Sequence, residues 1–295
     1  MKAQINILLF SVLLLYSSLV MSNDNDLTKS ITLDYENRLK AIFEDFHAHP
    51  ELSLAEFETA RKISAALKNH GFKVTENVGG TGVVALLENG KGPLVMMRAD
   101  MDGLPLEEKT DLPYASKDKQ LDPVTGNVFP VMHACGHDVH ITALIGTAKQ
   151  MVDLKSEWSG TLMLIAQPAE ERVLGARNMM NDNLWERFGK PDYALAFHVS
   201  SMLPSGIVNV VDGSPYAGAD TVDIYVHGIG AHGASPHAGK DPIVLGSQIV
   251  NSLQTLVSRE LPPRQPGVVT VGAFHSGTKH NIISDMAHLQ LTVRN

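Results

Sequence analysis

Cysteine is nearly absent from this sequence: its 295 residues include a single one, Cys135. One cysteine forms no internal disulfide, so this residue must be explained by chemistry or by packing. Positive charge is also in short supply, because the formal net charge is −8, and nucleic acid is therefore excluded as a partner. Glycine and proline follow no repeat period, which excludes a fibrous protein.

Long apolar runs are lacking after the first 22 residues. Within those 22 residues, Lys2 precedes the run ILLFSVLLLYSSLV, and the small residues Ser18 and Ser22 stand near a cleavage point. This is the pattern of a secretory signal peptide, and the run is short for a membrane span. We predict a signal peptide over residues 1–22 and a secreted or periplasmic mature protein with no stable membrane span.

The full sequence has the composition of a globular protein, 44% hydrophobic and 19% charged. After the first 22 residues, its patterns predict alternating helices and strands. Ser53 and Glu56 form a capping-box pattern before an amphipathic helix that Gly71 ends. Short apolar runs predict buried strands, and a helix lies between the second and third of them. The strands cover residues 81–87, 93–97, 161–166 and 193–197, and the helix covers residues 140–152. The order strand, helix, strand predicts an α/β fold with a parallel or mixed sheet covered by helices on both faces.

Polar clusters follow these strands or begin the helix. RADMDGLP follows the second strand, HACGHDVH precedes the helix, QPAEE follows the third strand, and HV follows the fourth. The carboxyl ends of strands in an open α/β sheet converge on a ligand-binding crevice. We therefore predict a single site at this edge.

Four side chains of the crevice supply thiolate, imidazole and carboxylate ligands suited to Zn²⁺, Mn²⁺ or similar ions: Cys135, His137, Glu171 and His198. Cys135 and His137 are two residues apart, so we expect both in the loop before the helix rather than on its face. A nucleophilic thiol and an inert core thiol remain alternatives for Cys135, but metal binding is favoured by the neighbouring donors.

In this interpretation the two adjacent glutamates of the QPAEE segment have different roles. One carboxylate binds metal, and the other transfers a proton from water to the leaving amine. As an alternative, they are a solvated charge pair. Asp100 and Asp102 are candidates to orient the ligand imidazoles. His133 and His140 are interpreted as packing or orienting residues rather than as ligands.

Seven segments resemble, in order and spacing, the amidohydrolase branch of the di-metal aminoacylase/carboxypeptidase family. That branch includes hippurate hydrolases, N-acetyldiaminopimelate deacetylases and hydrolases of indoleacetyl-amino acids. The pair formed by HACGHD and QPAEE is specific, whereas either segment alone is only suggestive. The segments are HPELSLAEFETA (49–60), RADMDGLPLEE (98–108), HACGHDVH (133–140), QPAEE (167–171), FHV (197–199), AHGASPHAGKDPI (231–243) and GTKHNIISD (277–285).

The resemblance implies a centre of two divalent ions, Mn²⁺, Zn²⁺ or Co²⁺, with the four ligands named above and Glu170 as the general base. It implies hydrolysis of an N-acyl amino acid or related amide by metal-activated water. A dipeptidase or carboxypeptidase of the same family is the alternative enzyme. An inactive dimerisation or binding protein is the alternative from another class.

The resemblance also implies a catalytic domain over residues 23–212 and an inserted lid and dimerisation domain over residues 213–295, with a homodimer formed through the lid. Independently of the resemblance, apolar patterns in the second region predict the order strand, helix, strand, strand. These elements are enough for a two-layer α+β unit. By resemblance, His232 stabilises the oxyanion of the tetrahedral intermediate, and Asn281 and Arg294 hold the substrate. A surface arginine is the alternative reading of Arg294.

Three departures from the family pattern stand out. GIGAH (228–232) replaces the usual Gly-Lys-Gly-Gly-His, and NIIS (281–284) replaces Asn-Val-Ile-Pro. Relatives also continue past the lid to a last metal-binding histidine, and no histidine here matches it. We therefore expect a truncated sequence with an incomplete catalytic domain and metal site.

Overall fold

The computed structural model describes residues 26–213 and 218–295. The predicted signal peptide, residues 1–22, lies outside the described residues. No helix in the described ranges is both long and apolar enough to cross a membrane. The chain divides into two compact units between Leu203 and Pro204, upstream of the boundary at 212 that the sequence suggested.

The first unit alternates helices and strands, as predicted. Residues 26–34 are helical and lead through a π-helical turn, Tyr35–Leu39, into helix α1. The helices are α1 (Lys40–Ala48), α2 (Phe57–Asn69), α3 (His137–Asp153), α4 (Gly175–Asn181) and α5 (Leu184–Phe188). The strands are β1 (Lys73–Val78), β2 (Gly82–Asn89), β3 (Leu94–Asp100), β4 (Lys119–Leu121), β5 (Val128–Pro130), β6 (Gly160–Gln167) and β7 (Tyr193–Ala196).

Five of these strands form one mixed sheet in the order β1-β2-β6-β3-β7. Strand β3 pairs in parallel with β6 and β7, whereas β2 runs antiparallel to both β1 and β6. The parallel pairs bring the carboxyl ends of β3, β6 and β7 to one edge. This confirms the predicted α/β fold and its mixed sheet.

Alternating side chains of the central strands fill two apolar layers. Leu164 of β6 joins the layer that also contains Leu67 of α2 and Ile145 of α3. Its neighbour Ile165 points to the opposite face and packs with Met179 of α4. Successive residues of a strand face opposite ways, so an apolar strand such as β6 must be covered on both faces.

The prediction that every strand is covered by helices on both faces is wrong for β7. All four of its residues are exposed, with Tyr193 at 65% and Leu195 at 61%. The strand lies at the end of the sheet, where it pairs with β3. The hairpin of β4 and β5 is an element that the sequence did not predict.

The prediction of a capping box at the start of α2 is also wrong. Glu56 occupies the N-cap position without a side-chain cap bond, and its side chain and that of Ser53 are buried in other contacts. Burial explains the difference, because each side chain finds a partner elsewhere in the first unit. The end of the helix is as predicted, since Gly71 has a φ of 80°.

The second unit contains a three-stranded antiparallel sheet with a helix packed on it and a separate two-stranded sheet. Its helix is α6 (Pro242–Thr255), and its strands are β8 (Ala219–His227), β9 (Ala231–His232), β10 (Val268–Ser276), β11 (Ile282–Ile283) and β12 (Met286–Arg294). The main sheet has the order β10-β12-β8, and β9 pairs with β11. Leu289 and Leu291 of β12 pack against Leu253 of α6. The order of strand, helix, strand and strand agrees with the sequence pattern.

Candidate metal centre

The predicted crevice forms at the carboxyl edge of the sheet. Strand β3 ends at Asp100, β6 ends at Gln167, and His198 follows two residues after β7. Helix α3 begins at the same place with His137. Three groups of metal-type donors lie here, each with its ligand atoms within 4.8 Å of one another. Their members are Cys135, His137 and His198; Asp100, His137 and His140; and His137, Glu170 and Glu171.

His137 is the centre of these groups. The left-handed Gly136, with φ 80°, is the N-cap of α3 and makes His137 the first helical residue. The expectation that His137 precedes the helix is therefore wrong, whereas Cys135 does lie in the loop. His137 Nδ1 donates to the main-chain oxygen of Asp102 at 2.7 Å, which leaves Nε2 unprotonated in the neutral ring. Nε2 is buried and has no hydrogen-bond partner among the described residues.

The two glutamates sit on the turn after β6. Oε2 of Glu170 and Oε1 of Glu171 are each 3.9 Å from His137 Nε2. The carboxylate of Asp102 accepts the backbone N–H groups of both glutamates at 3.0 Å. Oε1 of Glu171 is buried without a hydrogen-bond partner in the described ranges. Burial raises the pKa of Glu171, and the charge of Glu170 adds to the rise, although His137 opposes it.

Cys135 faces His198 across the crevice. Its Sγ lies 3.3 Å from His198 Nε2, while His198 Nδ1 donates to the carbonyl of Val199 at 2.7 Å. Burial raises the pKa of the Cys135 thiol to about 12, with a further contribution from the charge of Glu171. Carboxylates thus disfavour a free nucleophilic thiolate, whereas a divalent cation in the same place would favour it.

His140 is held at both ring nitrogens. Its Nδ1 donates to Asp100 at 2.5 Å, and its Nε2 accepts the N–H of Val199 at 3.1 Å. Burial acts to raise the pKa of Asp100, but the hydrogen bond from His140 and the nearby charges of His137 and Arg98 hold it well below its usual range. Asp100 therefore orients His140, and Asp102 orients His137 through its carbonyl.

The three site residues predicted in the second unit are not gathered in one place. His232 and Asn281 are neighbours, since the amide next to His232, that of Gly233, donates to the carbonyl of Asn281 at 2.8 Å. His232 is exposed, and its Nδ1 accepts the N–H of Ala234 at 3.0 Å. Arg294 lies at the far end of β12 from these residues, paired with Ala219.

Sequence reasoning missed several residues that hold the crevice together. Ser53 Oγ donates to Asp102 at 2.6 Å, and Glu56 accepts the N–H of Ala169 at 2.7 Å. Their S-x-x-E spacing is a signal, but the same spacing predicts a helix cap. Arg172 forms a two-oxygen contact with Asp122, at 2.8 Å to each oxygen, which ties the glutamate turn to the β4–β5 hairpin. No sequence signal marked that pair.

A buried network also supports the start of α3. His47 Nδ1 lies 2.6 Å from Asp138, and its Nε2 lies 2.9 Å from Glu108. Burial lowers the pKa of His47, but hydrogen bonds to the two carboxylates outweigh burial and leave the pKa raised. The neighbouring His133 is buried, which lowers its pKa to about 4. Residues beyond the predicted ligands therefore fix the helix on which His137 stands.

The donors present fit divalent ions. Nε2 of His137 and Oε1 of Glu171 are buried polar atoms without hydrogen-bond partners among the described residues, and such atoms are rare unless they have a ligand. Thiolate, imidazole and carboxylate donors around them match the preferences of Zn²⁺ and similar metals. The arrangement fits metal binding better than a solvated charge pair.

Known proteins are similar to this chain in sequence and in fold. Residues 96–285 match the profile of Peptidase family M20/M25/M40. A hippurate hydrolase of Campylobacter jejuni is 39% identical over 263 residues, which are 89% of this chain and 65% of that protein. Thermostable carboxypeptidase 1 of Saccharolobus solfataricus is 39% identical over 270 residues, which are 90% of this chain and 65% of that protein.

A solved structure is also similar to this chain, in sequence and in fold. The Bacillus subtilis YxeP protein, described as a dinuclear metal binding peptidase of the M20 family, is 33% identical with a TM-score of 0.69. The match covers 88% of this chain and 64% of that chain. This chain spans 65% of the length of the two curated relatives. Because the family profile covers more than half of the sequence, including the glutamate turn and the His137 segment, the chain belongs to peptidase family M20/M25/M40.

Proposed function

We propose that this protein is a metal-dependent amidohydrolase that cleaves the amide bond of N-acyl amino acids. The observation that carries the proposal is the pair of buried, unpartnered ligand atoms, His137 Nε2 and Glu171 Oε1, beside the carboxylate of Glu170. Metal affinity explains the unpartnered atoms, and a neighbouring carboxylate supplies the base that amide hydrolysis needs. The hippurate hydrolase relative supports the substrate class.

Each residue of the crevice would have a distinct role in this reaction. Cys135, His137, Glu171 and His198 would hold two divalent ions. When bound, such ions polarise a carbonyl and lower the pKa of water. Glu170, whose side chain is about 38% exposed, can take a proton from water and return it to the leaving amine. Asp102 fixes both glutamates through their backbone, and the Asp102 carbonyl holds the His137 ring.

The second unit contributes substrate contacts in this proposal. His232 would donate to the oxyanion, and Asn281 and Arg294 would bind polar groups of the substrate. An arginine fork suits a substrate carboxylate. Homodimer formation through this unit and a choice among Mn²⁺, Zn²⁺ and Co²⁺ belong to the same proposal. Mass measurement in solution and metal analysis of the purified protein test these two points.

A substrate panel tests the reaction. Hippurate-like N-acyl amino acids, dipeptides and the corresponding esters are compared by kcat/KM in the full-length protein that carries this sequence. We expect N-acyl amino acids to be the preferred substrates. A preference for dipeptides would favour the second candidate, a carboxypeptidase or dipeptidase, which the Saccharolobus relative supports. Absence of hydrolysis with stable substrate binding would favour a binding protein.

We further propose that the mature protein acts outside the cytoplasm, as a secreted or periplasmic enzyme. The support is Lys2 followed by the apolar run of residues 7–20. N-terminal sequencing of the protein from the extracellular or periplasmic fraction tests the cleavage point near Ser22. An intact N-terminus in the cytoplasmic fraction would contradict it.

A further inference from the structure

Two polar side chains just before helix α2 turn away from their own helix. Ser53 and Glu56 have the spacing of a capping box, yet the N-cap residue Glu56 makes no side-chain cap bond. Ser53 Oγ donates instead to Oδ2 of Asp102. Glu56 is fully buried. Neither side chain therefore acts as the predicted helix cap.

The Glu56 carboxylate accepts hydrogen bonds from two other residues, and neither is a cation. Its Oε1 accepts the backbone N–H of Ala169 at 2.7 Å, and its Oε2 accepts the hydroxyl of Thr81 at 2.6 Å. Among the described residues, no lysine, arginine or histidine forms an ion pair with it. Burying a carboxylate without a cation is costly, and burial raises the pKa of this one. An apolar side chain would serve packing better, so the position points to a different role.

The turn that Glu56 contacts is strained. Ala169 has a φ of 46°, in the left-handed region that residues other than glycine seldom adopt. Its carbonyl accepts the N–H groups of Leu174 and Gly175, each at 3.2 Å. Ala169 is fully buried, so its N–H would lack a partner if Glu56 did not accept it. The Glu56 carboxylate therefore helps to keep Ala169 in this conformation.

The conformation of Ala169 determines where the next two residues point. Glu170 and Glu171 follow directly, and in this turn their backbone N–H groups donate to Asp102. We propose that Glu56 is a positioning residue of the metal centre: it holds Ala169 left-handed and so brings the Glu170 and Glu171 carboxylates to His137 Nε2. This inference rests on the proposed function, because it assumes that Glu171 binds metal and that Glu170 acts on the substrate.

The experiment compares Glu56→Leu, Glu56→Gln and the matched control Glu58→Gln in the full-length protein. Glu58 lies two residues after Glu56, in helix α2; its side chain is exposed and forms an ion pair with Arg61 of the same helix. Metal affinity is measured by titrating metal-free protein with Co²⁺, and the visible absorption of bound Co²⁺ reports its ligand geometry. Kinetics on an N-acyl amino acid and thermal melting are recorded in parallel.

We expect Glu56→Leu to weaken Co²⁺ binding by about 10- to 100-fold, the usual effect of removing a group that orients ligands, and to shift the Co²⁺ spectrum. The kcat should fall more than KM rises. Glutamine keeps an oxygen for the Ala169 N–H but places an amide group against Thr81. Glu56→Gln should therefore show a smaller loss of affinity and a partial spectral shift, and Glu58→Gln should match the wild type.

Lower melting temperatures with unchanged Co²⁺ affinity and spectrum in the Glu56 variants would overturn the inference, because they would show a role in stability alone. If Glu56→Leu does not fold, the Co²⁺ affinity and spectrum of Glu56→Gln test the inference by the same criteria. Failure of the proposed function looks different: the wild type itself would then bind no metal or hydrolyse no amide.

Discussion

The crevice of the first unit and the His232 region of the second unit hold their polar side chains in different ways. In the crevice the contacts are long-range and buried: Asp102 joins Ser53, Glu170 and Glu171, which are remote in sequence. His232 is exposed, and its ring accepts a hydrogen bond from an amide only two residues away. The crevice is thus organised before any ligand binds, whereas the backbone of His232 is fixed by the pairing of β9 with β11 and its exposed ring is held by a local hydrogen bond.

The sharpest way to test this comparison is to remove the proposed general base from the crevice. Glu170→Gln should lower kcat by on the order of 10²-fold or more, because a general base contributes at least this much, while metal binding is retained. Glu171→Gln should instead weaken metal binding. Steady-state kinetics and metal titration measure the two effects, with the exposed Glu157→Gln as control. Equal metal content and equal activity in the two variants would refute the division of roles.

The next test removes the proposed oxyanion donor from the exposed region. His232→Ala should lower kcat by about 10²-fold, the usual effect of losing one such donor, with metal affinity unchanged. The exposed His275→Ala in β10 is the control and should retain activity. Loss of metal from His232→Ala would break the comparison, since it would make His232 part of the metal centre.

Cys135→Ser tests the thiol. If Cys135 is a ligand, metal affinity should fall by about tenfold or more with the fold intact, because a serine hydroxyl stays neutral and is a poorer donor. A packing role predicts a loss of about 1–3 kcal/mol in the free energy of unfolding with no effect on metal. A nucleophile predicts lost activity at full metal content and an acyl-thioester detectable by mass spectrometry in the wild type. Metal titration, thermal melting and mass spectrometry distinguish these outcomes.

The same contrast explains what the sequence could predict. Strands β3 and β6 and helix α3 follow from local apolar patterns, and the polar clusters at strand ends follow from the topology of such sheets. The pattern of Ser53 and Glu56 was ambiguous, because helix capping and a distant buried partner use the same residue types. The pair of Asp122 and Arg172 joins segments 50 residues apart and has no local signature. Long-range polar contacts of this kind were therefore missed.

His47 gives the smallest expected effect and tests the support behind α3. Its pKa is raised above the ordinary 6.5 by Glu108 and Asp138, even though burial opposes this. A raised pKa in the folded state means that its stabilisation is complete below the unfolded pKa and is lost as pH rises through the folded pKa. The melting temperature of His47→Gln should therefore lie further below that of the wild type at about pH 6 than at about pH 9. A gap that does not change with pH would contradict the charged network.

Metal stoichiometry tests the central claim, that the crevice is a metal centre organised by the fold, most directly. The full-length protein is stripped with a chelator, titrated with Mn²⁺, Zn²⁺ or Co²⁺, and assayed for N-acyl amino acid hydrolysis at each step. We predict that activity disappears on chelation and returns as two ions bind per chain, and that His137→Ala abolishes this binding. A metal-free preparation with full amidase activity would contradict the account.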